Sequence, residues 1–200
     1  MEIIWHGNTC FTLKDKRATI VINPDKEAGE LKGDVVLTAL GKDTAPVKDA
    51  YETLDWPGEY EVKGVAMMGI PAWTKSKSKE DEEGKKGEET LMFFVDMGGV
   101  KICHMGAIGH TLSSEAVKMI GDVDILILDP TKDGNLGTKK AMEILESIDP
   151  KALIPMGKGD FKEFLKEAGA ENIEAKESYE IDSLSQLPPD KREYIILRKA

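Results

Sequence analysis

The 200-residue chain is predicted to be an α/β domain in which sheets pack between helices. Two observations carry that prediction. The first third reads as a run of short strands, and the second half alternates helical and strand patterns. Between them, Asp96-Met97-Gly98-Gly99 gives a hairpin signal, because glycines accept positive φ at a tight turn.

In chain order, Ile3–Trp5, Cys10–Leu13, Thr19–Ile22 and Val35–Leu37 are rich in β-branched or aromatic residues, each bounded by Gly, Asn, Asp or Pro. Tyr60–Val62, Val65–Met68, Met92–Val95 and Val100–Cys103 continue the strand series. Lys75–Glu89 carries five lysines and six acids with almost nothing apolar, so it reads as an exposed, mobile loop of a single domain spanning 1–200. The functional alternative for that loop is a lid over a pocket.

Ser113 or Ser114 caps a helix reaching about Ile120, which Gly121 ends. Ile125–Leu128 is continuously apolar, the pattern of a strand buried on both faces, and Ala152–Ile154 repeats it. Thr138 is the expected cap of a helix whose Ala141, Ile144, Leu145 and Ile148 share one face, with Pro150 beyond its end. Asp160 with Glu163 forms a capping-box signature ahead of Phe161, Phe164, Leu165 and Ala168, stopped by Gly169. Tyr194–Leu197 is the last expected strand.

Composition narrows the function classes. The 27 basic and 37 acidic residues leave a net charge of −10, with lysines interleaved among acids and no basic stripe, which argues against nucleic acid. Cys10 and Cys103 sit in apolar runs without a Cys-x-x-Cys pair, as buried thiols of a reducing compartment do. The Met1-Glu2-Ile3-Ile4-Trp5 start is unlike a signal peptide, and no segment approaches the ~20 apolar residues of a membrane span. A cytoplasmic location is expected.

The chain has three histidines, His6, His104 and His110, whereas a dinuclear hydrolase site usually spends four or more besides its carboxylates. His104 ends a strand and His110 precedes a helix, so the two could share a pocket as a residual ligand or acid–base pair. The plainer reading is one core histidine and one that caps a loop. Asp133-Gly134-Asn135-Leu136-Gly137-Thr138 leads into a helix N-terminus that could hold an anion, yet it lacks a P-loop's lysine and spacing and reads as a turn with a cap. No Gly-x-Ser-x-Gly elbow occurs, and Trp5, Trp56 and Trp73 read as core or rim aromatics.

Several segments, taken in their order and spacing, are more specific. They are Gly7-Asn8-Thr9-Cys10-Phe11, Ile20-Val21-Ile22-Asn23-Pro24, Asp34-Val35-Val36-Leu37-Thr38 and Pro57–Val65, then Gly69-Ile70-Pro71, Ile102-Cys103-His104-Met105-Gly106, Gly109-His110, Gly121–Leu126 and Pro150–Met156. With them the chain resembles the metallo-β-lactamase fold, particularly its small single-domain branch related to ascorbate-phosphate lactonase and regarded as metal-dependent hydrolases. The resemblance covers nearly the whole chain and implies a four-layer αββα sandwich with a metal site at one rim.

It also implies where that metal site has changed. The histidine-rich motif of relatives falls on Leu40-Gly41-Lys42-Asp43-Thr44-Ala45, with Leu40, Lys42, Thr44 and Ala45 at its ligand positions in one register or the other. A further ligand histidine falls near Thr74, the bridging aspartate on Ala107 and the last histidine on Gly157. Asn8 stands where relatives often have a histidine. Such replacements remove the lone pairs that grip a cation, and Lys42 adds a positive charge.

The leading expectation is therefore a protein without a metal cofactor. It would act as a non-catalytic binding, regulatory or assembly partner of an intact paralogue or of a second copy of itself. The first alternative is a hydrolase of phosphoester or lactone type that has rebuilt a zinc, iron or manganese site from His104, His110, Asp43, Asp129 and Asp160. The second is a binder of a small anion in the vacated pocket, attracted by Lys42. On this mapping Lys42, Ala107 and Gly157 should meet at one rim.

Overall fold

The structure is a computed structural model and describes residues 1–39, 44–76, 87–131 and 134–200. Its strands and helices run β1 (Glu2–Gly7), β2 (Cys10–Lys14), β3 (Thr19–Ile22), β4 (Leu31–Lys32), β5 (Val35–Leu37), β6 (Val47–Lys48), β7 (Glu52–Leu54), β8 (Gly58–Val62), β9 (Val65–Trp73), β10 (Glu89–Met97) and β11 (Val100–His104). They continue with α1 (Ser114–Ile120), β12 (Ile125–Leu128), α2 (Gly137–Ile148), β13 (Ala152–Pro155), α3 (Lys162–Glu167), β14 (Tyr179–Glu180) and β15 (Glu193–Tyr194).

Two sheets face each other. One has the order β14-β1-β2-β3-β5-β7 and the other β15-β13-β12-β11-β10-β9-β8. The core between them contains Ile3, Phe11, Ile20, Leu37, Phe93, Val95, Ile102, Ile125, Ile127 and Ile154. A second core lies between the larger sheet and the helices, where Leu126, Leu128 and Leu153 meet Ala141, Ile144, Leu145 and Phe164. Successive strand residues point to opposite faces, so Ile125 and Ile127 serve one core and Leu126 and Leu128 the other. That is why the apolar run is unbroken. On the outside of the smaller sheet, the short β4–β6 ribbon and a 3₁₀ turn at Lys26–Ala28 bring Leu31, Val47 and Ala28 over Cys10 and Val21.

The turns follow backbone chemistry. Met97 pairs with Val100 across a two-residue turn in which Gly98 and Gly99 have φ of 69° and 81°, as the hairpin signal predicts. Ser113 caps α1 by accepting from the Ala116 amide, and Gly121 ends it. The other two caps differ from expectation. Thr138 lies inside α2, where its hydroxyl donates to the Pro130 carbonyl, and Leu136 takes the cap position without a side-chain bond. Asp160 accepts from the Lys162 amide, but the helix begins too late for a capping box with Glu163. The final strand is shorter than Tyr194–Leu197, because only Glu193 and Tyr194 pair with β13.

Among the described residues, no helix is long and apolar enough to cross a membrane. Residues 77–86, the greater part of the charged loop, lie outside the described residues. Its two ends are joined: the Thr74 amide donates to the Glu88 carbonyl, and the Glu88 amide donates to the Thr74 hydroxyl.

Candidate functional site

The parallel strands place a set of chain ends at one rim. In the larger sheet β11, β12 and β13 run parallel and stop at His104, Leu128 and Pro155; in the smaller sheet β3 and β5 run parallel and stop at Ile22 and Leu37. The segments leaving these ends form a cleft of about 270 Å³, lined by Thr9, Asn23, Asp25, Lys26, Thr38, Thr44, Thr90 and Ala107 among others. Ligands of open α/β sheets gather at such carboxyl ends. An ion pair of 3.7 Å between the exposed side chains of Lys158 and Glu27 spans the segments that follow β13 and β3 at this rim.

Asp25 is held as a carboxylate. Its oxygens accept from the Glu27 amide and from the Asn8 side-chain amide, both at 2.8 Å, and these bonds, with Lys158 and Lys199 nearby, keep its pKa below the usual range. Asn8 and Asn23 adopt left-handed conformations, with φ of 47° and 48°, which asparagine tolerates better than most residues. Thr38, on the segment leaving β5, is only 5% exposed, and its hydroxyl oxygen has no hydrogen-bond partner among the described residues.

The residues singled out from sequence separate into distinct environments. His104 is fully buried at the end of β11, edge-on to Phe11 at 5.4 Å between ring centres. The Gly106 amide donates to its Nδ1 at 3.1 Å, so the proton resides on Nε2, which lies by the Thr9 carbonyl without making a good hydrogen bond. Burial drives its pKa down to about 4. The His110 Nε2 accepts from the Trp73 amide at 3.2 Å, and its Nδ1 donates to the Thr111 carbonyl at 2.7 Å. Both ring nitrogens of His110 are thus spent on pinning the chain after β9 to the turn before α1. Thr74 belongs to that same contact, where its backbone lies against Gly109. Asp160 sits at the mouth of a neighbouring cavity of about 270 Å³ with Thr131 and Lys158.

Asp129, just past the end of β12, is the most confined carboxylate of the rim. One oxygen accepts from the Thr131 hydroxyl at 2.6 Å and from the Thr131 amide at 3.0 Å. Burial is the largest influence on it and raises its pKa. Gly134 and Gly157 close around it: a Cβ added at either position would collide with the carboxylate. Gly157 has a φ of 120°, so strain and crowding both oppose a side chain there. A side chain at position 157, where the resemblance expects a ligand histidine, would have to displace the Asp129 carboxylate.

Of the positions mapped to the relatives' site, Thr44 and Ala107 line the cleft, Ala45 is buried beside it, and Gly157 lies along the same rim against Asp129. Thr74 lies against Gly109, beside His110, and does not line the cleft. Leu40, Lys42 and Asp43 lie outside the described residues, as do Lys132 and Asp133 of the glycine-containing turn. His104, His110, Asp129 and Asp160 do not form one cluster: among the described residues, no three histidine, cysteine, aspartate or glutamate side chains are grouped to hold an ion. The described side chains alone therefore do not fit a metal's donor set. The sequence reading did not single out Asn23, Asp25, Thr9, Thr38 or Thr90. Of these, Thr9, Asn23 and Thr38 fall within the segments that carry the resemblance.

Residues 2–157 match the β-lactamase superfamily domain. The chain is 30% identical over 189 residues to a UPF0173 metal-dependent hydrolase of Thermoplasma acidophilum, an alignment covering 78% of this chain and 82% of the relative. It is 23% identical over 196 residues to another metal-dependent hydrolase of the same group, from Methanopyrus kandleri, with 80% and 85% covered. Among solved structures, a metallo-β-lactamase superfamily protein of Thermotoga maritima, assigned as a Zn-dependent hydrolase, superimposes with a TM-score of 0.79 at 25% identity over 98% of this chain and 97% of its own.

These findings correct two expectations from sequence. A non-catalytic partner protein is not what the relatives point to, since they are named metal-dependent hydrolases, and the same names imply a metal cofactor where none was expected. The physical weakness of the earlier argument is its donor count. Histidine scarcity excludes an imidazole-rich site, but carboxylate oxygens also bind zinc, iron and manganese.

Two outcomes follow from the rim. Gly157→Ala should cost about 2–4 kcal/mol, combining left-handed strain with overpacking; Gly157→Ala with Asp129→Ala should recover part of that loss in a urea double-mutant cycle, and strict additivity would contradict the contact. For His104, the folded-state pKa near 4 lies below the ordinary 6.5, so the unfolded chain binds the extra proton. Stability should fall as pH drops from 6.5 toward 4, by roughly 3 kcal/mol from this residue. His104→Asn, which keeps an acceptor for the Gly106 amide, should flatten that slope in denaturant titrations at a series of pH values.

Proposed function

We propose that this chain, which belongs to the β-lactamase superfamily with the metallo-β-lactamase fold, is a metal-dependent hydrolase of phosphoester or lactone type, working at the cleft where the parallel strands end. The observation that carries the reading is the similarity to named metal-dependent hydrolases along most of the chain, joined to a polar cleft at the sheet rim. A bound metal would supply Lewis acidity and a more acidic water. In the cleft, this chain's own groups keep simpler tasks: Asp25 holds a negative charge at the wall, and the threonine hydroxyls and Asn23 offer hydrogen bonds to a substrate.

The cysteines support a reducing, cytoplasmic setting, since Cys10 and Cys103 are both buried and unpaired. Burial raises the pKa of Cys10 to about 11 and that of Cys103 to about 12, so neither is a ready nucleophile.

Protein purified without chelator should carry about one equivalent or more of zinc, iron or manganese by elemental analysis. It should hydrolyse members of a panel of phosphomonoesters, phosphodiesters and lactones, lose that activity on chelation and regain it with one of those metals. Absence of both metal and turnover across the panel would refute the reading.

A further inference from the structure

The side of the sandwich where the sheets end at β7 and β8 leaves a strand edge open. β8 is the last strand of the larger sheet, and among the described residues no strand pairs with its outer edge. The hairpin that joins it to β9 fixes which backbone groups face outward. Lys63 and Gly64 form a two-residue turn with φ of 51° and 70°, so Val62 and Val65 are a hydrogen-bonded pair, as are Tyr60 and Met67. Glu59 and Glu61 alternate with them. Their N–H and C=O groups therefore point away from β9, across the open edge.

The side chains along this edge decide what can pair with it. Glu59 and Glu61 are exposed on the outer face, while Tyr60 and Val62 turn toward the core. Among the described residues neither glutamate has an ion-pair partner, nor do Glu52 of β7 and Asp55 on the link between the two strands. The neighbouring bases are already committed, Lys63 to Asp34 at 2.8 Å and Arg17 to Asp15 at 2.9 Å. Trp56, on the same link, is 59% exposed, and a large aromatic on a surface is the residue type that anchors interfaces. A second copy of this chain does not fit. Antiparallel pairing of two β8 strands about Tyr60 would set each Glu59 opposite the other copy's Glu61, and like charges directly opposite are destabilising.

We propose that the outer edge of β8 is a docking site for an extended segment of another protein that carries lysine or arginine at every second position, added as an antiparallel strand. Bases opposite Glu59 and Glu61 exchange backbone hydrogen bonds with them and pair with their carboxylates, and the apolar residue between packs beside Tyr60. Charge on an edge strand also repels chance pairing. Here the same two carboxylates turn away acidic strands and copies of the chain but admit a basic one. None of these residues lines the cleft, and the inference does not depend on the hydrolase reading.

The test uses the full chain and the probe peptide acetyl-Thr-Lys-Val-Lys-Val-Lys-Thr-amide. Titrated into isotopically labelled protein, the peptide should shift the amide resonances of Glu59 and Glu61 and slow their hydrogen exchange. N-methylation of its lysines removes the donors that face β8 and should weaken binding at least about tenfold, whereas N-methylation of its valines should leave affinity within about twofold. Glu59→Lys with Glu61→Lys should weaken the lysine peptide at least about tenfold and create binding of acetyl-Thr-Glu-Val-Glu-Val-Glu-Thr-amide. Both positions are exposed, so Tm should stay within about 2 °C. If that variant does not fold, Glu59→Gln with Glu61→Gln carries the comparison, with about fivefold weaker binding of the lysine peptide.

No binding of the lysine peptide at about 1 mM would overturn the proposal. Indifference to lysine N-methylation would do the same, because it would mark adsorption of charge rather than strand pairing. So would an unchanged affinity in the glutamate variants. A wild-type dimer in sedimentation that protects the Glu59 and Glu61 amides from exchange would make a second copy the occupant, and that too would sink it.

Discussion

The rim cleft depends on a parallel ladder whose strands are buried on both faces. Ile125 and Ile127 are committed to the space between the sheets, while Leu126 and Leu128 are committed to the helices, so β12 cannot slip by a residue without exchanging its two cores. β13 is held likewise by Ala152, Leu153 and Ile154, and each aligned pair from Ile125–Ala152 to Leu128–Pro155 fixes where the strands stop. That stopping point delivers Asp129 and Gly157 side by side. The same end of β11 delivers Gly106 and Ala107, and the carboxyl ends of β3 and β5 deliver Asn23 and Thr38 from the facing sheet. Core packing thus sets the positions of polar groups that themselves contribute little to it.

Much of this was legible from residue patterns because burial leaves a periodic trace. The continuous apolar runs at Ile125–Leu128 and Ala152–Ile154, the apolar face of α2 and the Gly98-Gly99 turn all appear where their patterns put them. Short pieces were less legible. β7 has only Leu54 buried, and β14 is a two-residue strand lying against β1, so neither has enough length to show a period. The cap expected at Thr138 failed for a local reason: Gly137, with a φ of 71°, already belongs to the helical segment, which leaves the threonine hydroxyl turned to Pro130.

The candidate site was harder to read, because its groups come from chain segments far apart in sequence. The histidines drew attention through their residue type, yet the structure gives one of them, His110, a wholly structural role between Trp73 and Thr111. Thr38 and Asp25 have ordinary sequence surroundings, and only burial and bonding single them out. Mapping by resemblance put Ala107 and Gly157 just past strand ends, and both lie along this rim. It carried no information about Asp129, whose closeness to position 157 is purely spatial.

Several departures from ordinary local preference lie at this rim, although others, such as the positive φ of Asp49, Lys63, Asp149 and Asn172, lie away from it. An orphan hydroxyl at Thr38, left-handed asparagines at 8 and 23, and two glycines crowded against the Asp129 carboxylate all lie along it. Each is unfavourable or restrictive taken alone, and such features persist where the surrounding structure holds them in place. The Gly157–Asp129 contact adds a steric argument: the carboxylate occupies volume that any side chain at 157 would need. The Asp129 carboxylate, held by the Thr131 hydroxyl and amide, and a side chain at position 157 therefore compete for one space. Because the carboxylate is anchored by Thr131 and the backbone at 157 has a positive φ, the rim keeps its present shape only while position 157 stays glycine.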